Sequence, residues 1–260
     1  MADNVIENYA VELFAAENNI KEVEPLTKRD ENLNIDDAYN IQLQIVEYKK
    51  NQGRKVIGKK VGLTSKAMQN MLNVNEPDYG HLFDDMELEH NSTIDTKTMI
   101  APKVEAEIGF VLKEDLKGPH VTFLDVIMAT DYVVPTLEII DSRIANWNIK
   151  LIDTVADNGS SAKVVIGDRK KQLEEINLRT NGMILKKNNE IIATGAGSAA
   201  LGHPAEAIAW LANKLSTYNI TLKKGELILP GALSGALIVN ANDTIEADFG
   251  ELGTVGITFK

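Results

Sequence analysis

The sequence predicts an α+β fold: a small helical N-terminal segment over residues 1–54, then a strand-dominated domain over residues 55–260. Three observations predict it. Up to about residue 50, apolar residues recur at helical spacing in two stretches. From Lys55 onward they gather instead in short runs rich in Val and Ile, punctuated by Gly, Pro, Asn and Asp. Those runs do not alternate regularly with helices, which argues against a Rossmann or TIM arrangement.

Taken in order, residues 3–24 can place Val5, Ala10, Leu13, Phe14 and Ala15 on one helical face. A second amphipathic helix starts at Asp36 and Asp37 and carries Ala38, Tyr39, Ile41, Leu43, Ile45, Val46 and Tyr48. Its acids lie in the first turn and Lys49 and Lys50 in the last, which suits the helix dipole, and Gly53 stops it. The strand-like runs are VIGKKVGL, VEAEIGFVL, YVVPTLEII, AKVVIG, GMILKKNNEIIATG, GELILPGAL and TVGITF, with a hairpin turn expected at Asn188–Asn189. Thr122 to Ala129 predicts a short helix. A longer one begins at His203 and Pro204, with Ala207, Trp210, Leu211 and Leu215 at helical spacing. The boundary near residues 51–55 also fits a mere change of layer.

Composition narrows the function. A net charge of −11 argues against nucleic acid or an anionic membrane as partner. If the substrate is a carboxylate, local cations or a metal must reverse that sign inside the site. With no cysteine, disulfides, zinc–thiolate sites and cysteine nucleophiles are excluded. The opening MADNVIENYA has no basic stretch leading into an apolar run, and no apolar stretch approaches the roughly 20 residues that span a bilayer. A cytoplasmic protein is expected.

The most informative spacing is Glu105-Ala106-Glu107 in an apolar run. On a strand these carboxylates share one face. Two readings fit. They can occupy the solvated face of an amphipathic strand, which is the usual place for acids. Alternatively, a hard divalent cation, Mg²⁺ or Mn²⁺ rather than zinc, can hold them together against their repulsion. A third acid, Glu138, is also embedded in apolar residues, with Asp141 three positions on.

Gly58-Lys59-Lys60-Val61-Gly62-Leu63 sets a lysine pair between glycines. That suits either a ligand carboxylate or a simple basic strand end. Glu76-Pro77-Asp78-Tyr79-Gly80-His81 is turn-rich; Asp78 there is either a general base or turn chemistry. Of the four histidines only His81 lies near other candidates, and His203 reads as a helix-start residue. Asp153 to Ser161 is dense in donors and acceptors and reads as a loop facing a bound anion or as a surface turn.

Together these segments resemble the 2-keto-4-pentenoate hydratase and 4-oxalocrotonate decarboxylase family of the fumarylacetoacetate hydrolase superfamily. VIGKKVGLTSKAMQNMLNVNEPDYGHLFDDM, PKVEAEIGFVL, ATDYVVPTLEIIDSRI, IKLIDTVADNGSSA and TGAGSAALGHPAEAIAWLANKL carry the likeness, from about residue 36 to the C-terminus. The resemblance implies a mixed β-roll or barrel-like, fumarylacetoacetase-type domain. It implies Mg²⁺ or Mn²⁺ on Glu105, Glu107 and Glu138, and Lys60 and Asp78 as catalytic groups. Gly62, Leu63, Tyr79, His81, Leu82, Asp157, Ser160 and Ser161 form the expected substrate-binding set.

The implied activity is hydration of 2-hydroxypenta-2,4-dienoate to 4-hydroxy-2-oxopentanoate, in meta-cleavage catabolism of aromatic compounds. Trp147-Asn148-Ile149-Lys150-Leu151-Ile152-Asp153-Thr154-Val155 looks like the hydratase segment W-x-I-K-x-x-D-T-V. Decarboxylation of a 4-oxalocrotonate-type acid and C–C hydrolysis of an acylpyruvate are the alternatives, and a non-catalytic partner subunit is a third. A homo-oligomer is expected, as is association of the hydratase with a decarboxylase. The likeness lapses at Leu229-Pro230-Gly231-Ala232-Leu233, where Ala232 stands in place of a hydroxyl-bearing residue expected near the substrate's distal end.

Overall fold

The computed structural model describes residues 2–71 and 73–260. In chain order the helices are α1 (Ala2–Asn19), α2 (Leu26–Arg29), α3 (Ile35–Asn51), α4 (Lys66–Met71), α5 (Phe123–Ala129), α6 (Leu151–Ala156) and α7 (Pro204–Ser216). The strands are β1 (Val56–Gly62), β2 (Asp78–Phe83), β3 (Glu87–Glu89), β4 (Thr93–Ile94), β5 (Pro102–Leu112), β6 (Thr130–Asp141), β7 (Ser161–Ile166), β8 (Gly182–Lys187), β9 (Glu190–Ala196), β10 (Leu227–Leu229), β11 (Leu237–Ile238), β12 (Thr244–Asp248) and β13 (Thr254–Phe259).

Helix α1 ends earlier than its apolar spacing suggests. Asn18 turns its amide back to the Phe14 carbonyl at 2.8 Å and Ile20 adopts φ 52°, so the chain leaves the helix there. Ala10, Leu13 and Ala16 make the buried face, while Val5 is 37% exposed. Helix α3 starts as expected. The Asn34 side chain accepts from the Asp36 and Asp37 amides, and Asp37 reaches back to the Asn34 amide. Lys49, in its last turn, is buried and pairs with Glu17 of α1 at 2.7 Å. Thr122 caps α5, and His203 caps α7 by accepting from the Ala205 amide at Nδ1 (3.1 Å).

An eight-stranded sheet runs β2-β1-β10-β5-β6-β7-β3, with β11 also pairing on β5. It curls until β2 contacts β7, giving a half-barrel. A five-stranded sheet, β4-β13-β12-β8-β9, lies beside it. The β8–β9 hairpin turns at Asn188 and Asn189 with φ 54° and 67°, the left-handed pair that suits asparagine.

Two segments depart from expectation. The turn-rich Glu76–His81 leads directly into β2, whose six residues are all buried and pair antiparallel with β1. Turn-forming composition is overridden there by the ladder on one side and by Asn158 on the other. A Cβ on Gly80 would sit 2.3 Å from the Asn158 carbonyl oxygen, so only glycine fits. Asp153–Ser161 is not an extended loop but α6 followed by a tight left-handed turn at Asn158, Gly159 and Ser160.

Buried residues of α1 and α3 share one core with the strands. A second apolar group includes Leu82, Val134, Val164, Leu227 and Leu229, which line up along the inner face of the curled sheet as a floor. No helix among the described residues is long and apolar enough to cross a membrane.

Candidate metal and substrate site

The site is built from the β5–β6 ladder outward. Glu105 is paired directly with Glu138, and Glu107 with Thr136, so the three acids project from one face of two neighbouring strands. One carboxylate oxygen from each lies within 4.8 Å of the others. Glu107 is 1% exposed and Glu138 0%, and Glu105 is partly exposed. The opposite face of β5, with Val104, Ala106 and Ile108, is fully buried too. Glu107 therefore does not stand on a solvated face; the strand is covered on both sides.

Burial and mutual repulsion dominate the electrostatics. Burial pushes the Glu107 carboxyl well above its usual range, and Glu138 and Glu105 push it further. Burial also raises Glu105 to about 7 against the pull of Lys60, and raises Glu138. Glu107 Oε2 accepts from the Gly231 amide at 2.7 Å. Glu107 Oε1 and both oxygens of Glu138 are buried without a hydrogen-bond partner. Three convergent carboxylates with unsatisfied oxygens match the donor set of a hard divalent cation.

Alternation along β1 separates the two lysines. Lys59 faces outward and forms a buried pair with Glu226 at 2.7 Å. Lys60 faces the acids, its Nζ 3.5 Å from Glu138 Oε2. Burial alone would weaken its hold on the proton, but Glu138, Asp78, Glu105 and Glu107 together raise it above the ordinary lysine range.

Asp78 lies opposite Gly62 in the β1–β2 ladder, its Oδ1 buried without a partner. Burial raises its carboxyl and Lys60 opposes the rise. A Cβ on Gly62 would stand 2.1 Å from Asp78 Oδ1 and 3.3 Å from Lys60 Nζ, so this glycine makes room for both. Leu63 follows with φ 57°, turning the chain after β1.

The remaining expected residues divide. Ser161, paired with Ile140 at the start of β7, has a buried hydroxyl with no hydrogen bond. Tyr79 and His81 point to the other face of β2. Tyr79 stacks on Tyr39 of α3 with centroids 4.6 Å apart, and His81 Nδ1 is 3.1 Å from Gln42 Oε1. Gln42 spends its amide hydrogens on the Tyr79 and Val155 carbonyls, so its oxygen accepts and His81 Nδ1 carries the proton. Burial holds His81 well below its usual range, hence neutral. Leu82 belongs to the apolar floor. Asp157 is committed to Arg143, and Ser160 donates to Asp157 Oδ2 at 3.2 Å.

Sequence reasoning missed three supports. The Gly231 amide was hidden in the run GELILPGAL, although Pro-Gly marks a turn. Gly159 packs its Cα against the Lys60 stem: an added Cβ would lie 3.3 Å from Lys60 Cδ. Asn158 ties its side chain to both backbone groups of His81, at 2.8 and 2.9 Å. The W-x-I-K-x-x-D-T-V segment proves architectural at its marked ends. Trp147 Nε1 donates to the Ala101 carbonyl at 2.9 Å, and Asp153 accepts from the Thr27 amide and hydroxyl and the Lys150 amide. Asp141 accepts from the Ile100 and Ala101 amides and is not part of the three-carboxylate cluster.

Comparison with known proteins agrees with this geometry. The family model described as fumarylacetoacetate (FAA) hydrolase C-terminal matches residues 57–260. The chain is 43% identical over 256 residues to a 2-hydroxyhexa-2,4-dienoate hydratase of Comamonas testosteroni, covering 98% of this chain and 97% of the relative. It is 44% identical over 254 residues to a 2-keto-4-pentenoate hydratase of Paraburkholderia xenovorans (strain LB400), covering 98% and 94%. Among solved structures, 4-oxalocrotonate decarboxylase from Pseudomonas putida G7, complexed with magnesium and adipate, superposes with a TM-score of 0.98 at 37% identity, covering 100% and 99%.

Proposed function

The chain belongs to the fumarylacetoacetate hydrolase family, and within it we propose a divalent-metal-dependent hydratase that adds water to 2-hydroxypenta-2,4-dienoate, giving 4-hydroxy-2-oxopentanoate. The observation that carries this is the triad of Glu107 and Glu138, both buried, and the partly exposed Glu105, with Lys60 and Asp78 on the same inner face. The full-length likeness to hydratases at 43% and 44% identity favours hydration over the family's other reactions.

Glu105, Glu107 and Glu138 would hold magnesium or manganese. When bound, the cation supplies Lewis-acid polarisation of the 2-oxo group and an anchor for the substrate carboxylate. Lys60 sets a fixed positive charge for the oxygen that is negative once the dienol has lost its proton and again when water adds to the enone. Asp78 Oδ1, buried and unpartnered, carries the proton: the dienol loses its hydroxyl proton and gains one at C5, forming the conjugated enone. Water then adds its hydroxyl to C4, and a proton goes to C3. Gly62 keeps Asp78 and Lys60 within one space, and the Ser161 hydroxyl is free to meet substrate or water. Residues 1–54 act as the helical cover of a catalytic domain over residues 55–260.

The test is loss of the dienoate's ultraviolet absorbance with Mg²⁺ or Mn²⁺, with and without chelator. Metal-dependent loss is expected; no loss in any arm removes the reading. The superposition on a decarboxylase supports the rival reaction. Carbon dioxide released from 4-oxalocrotonate faster than the dienoate is hydrated would replace hydratase by decarboxylase. We further propose a cytoplasmic homo-oligomer that can dock a decarboxylase. Exposed Leu124 and Met128 on α5 and Ile191 and Ile192 on edge strand β9 are apolar surfaces suited to such contacts. A monomer by light scattering would remove that part.

A further inference from the structure

The inner face of β5 runs outward from the buried acids, and what it reaches is a lysine. Glu107, Glu105 and Lys103 stand on one face of the strand. Exposure grows along that line: Glu107 is 1% exposed, and Glu105 and Lys103 are partly exposed. Along this strand face, exposure to solvent begins at Glu105 and continues at Lys103.

Both sides of this path are walled by backbone pairing. On one side Glu138 lies opposite Glu105, and Ile140 opposite Lys103. On the other, the chain descends from Gly231, bonded to Glu107, through Leu233, bonded to the Ala106 carbonyl, to Ile238, paired with Lys103. Ala232, smaller and less polar than the residue the family likeness suggested, lies on this second wall.

Lys103 is held in an unusual way. Its Nζ rests 3.8 Å from the centroid of the Trp147 ring, and it makes no ion pair with a described residue. Trp147 is itself fixed by its Nε1 hydrogen bond to the Ala101 carbonyl. Asn146 and Trp147 adopt φ 57° and 54°, two consecutive non-glycine residues in the left-handed region. The chain thus accepts backbone strain to set an indole under an ammonium that has no carboxylate of its own.

We propose that Lys103, seated on Trp147, is a second anion-binding point of this site and takes the distal carboxylate of a dicarboxylic 2-hydroxydienoate. Alternate residues on one strand face lie about 6.6 Å apart. A 2-oxo acid anchored at the Glu105–Glu107 cluster would thus bring the far carboxylate of a chain of about six or seven carbons beside Lys103. A chain of that length ending in methyl leaves the ammonium solvated and gains nothing from it. The proposal rests on the 2-oxo acid reading above, and it adds diacids of that length to the pentadienoate as substrates.

The experiment titrates manganese-loaded protein calorimetrically with 2-oxoadipate and with 2-oxohexanoate, unreactive analogues that differ at the far end. The wild type should bind 2-oxoadipate roughly tenfold more tightly, the effect of one partly exposed charge-assisted contact. Lys103→Met, which keeps the stem, should bring the ratio to within about twofold, and Lys103→Arg should keep most of it. Melting temperatures of both variants show whether the fold is intact. Equal binding of the two acids by wild type, or an unchanged ratio in Lys103→Met, overturns the subsite and leaves the hydratase reading standing. Binding of neither acid by metal-loaded wild type overturns both.

Discussion

The Lys60 ammonium stands 3.5 Å from Glu138 Oε2, yet neither oxygen of that carboxylate is hydrogen-bonded. The lysine offsets the charge of the acidic cluster without saturating it, which leaves the oxygens free for a cation. Lys60→Met should lower turnover of the dienoate by at least about a hundredfold, the scale of losing one preorganised charge-stabilising group. Calorimetry should show metal affinity kept or raised, because a competing positive charge is gone. Wild-type turnover would reduce Lys60 to a structural counter-charge.

Glu107→Gln addresses the cation directly. The amide oxygen can still accept from the Gly231 amide, and a like charge is removed, so the metal-free protein should melt no lower than wild type. Metal affinity should fall by roughly ten- to a hundredfold, since a carboxylate ligand has become neutral. An unchanged calorimetric Kd would show that Glu107 is not a ligand.

A pH dependence follows from Glu105, raised to about 7 from an ordinary 4.5, mainly by burial. A raised acid favours its protonated form in the folded state. That contribution is full below the unfolded value and is lost as pH climbs through the folded value. Metal-free protein should therefore lose stability between about pH 4.5 and 7, by at most roughly 3 kcal/mol from this group. Cation binding favours the ionised form, so metal affinity should strengthen over the same window. Denaturant melts at pH 5 and pH 8, with chelator and with Mn²⁺, measure both; equal chelated stabilities would contradict the assignment.

Asp157 gives the opposite kind of prediction. Its carboxylate is buried on Arg143, and Ser160 and the Arg143 amide also donate to it. Asp157→Ala leaves a guanidinium buried and unpaired, which should cost roughly 3–5 kcal/mol. The fraction that remains folded should retain the KM for the dienoate. A raised KM in folded protein would instead place Asp157 at the substrate.

How far the chain could be read before folding varied from residue to residue. The helical segment, the hairpin at Asn188–Asn189 and the caps at Thr122 and His203 were legible because their signals are local. The E-x-E pair was legible as a shared face, but its burial was not, since an apolar opposite face occurs in solvated and covered strands alike. That Glu138 meets Glu105 depends on the β5–β6 register, which no local spacing shows. Asp78 was ambiguous from composition and singled out by the family likeness: Pro-Asp-Tyr-Gly looks like a turn until β1 supplies a partner for every residue from Asp78 to Gly80. His81 and Asp157 looked like ligand-binding groups because their type and neighbourhood fit. In the fold His81 Nδ1 meets Gln42 and Asp157 pairs with Arg143, contacts that no local spacing announces.

The apolar floor of Leu82, Val134, Val164, Leu227 and Leu229 lines the inner face of the half-barrel. Beyond the acids from that floor, Glu105 is the member of the triad that is partly exposed, which marks a way in from solvent among the described residues. Reactant and product that share this way in must use it in turn. Product still lodged inside excludes the next reactant outright, so accumulating hydroxy-acid should slow the enzyme as a strictly competitive occupant.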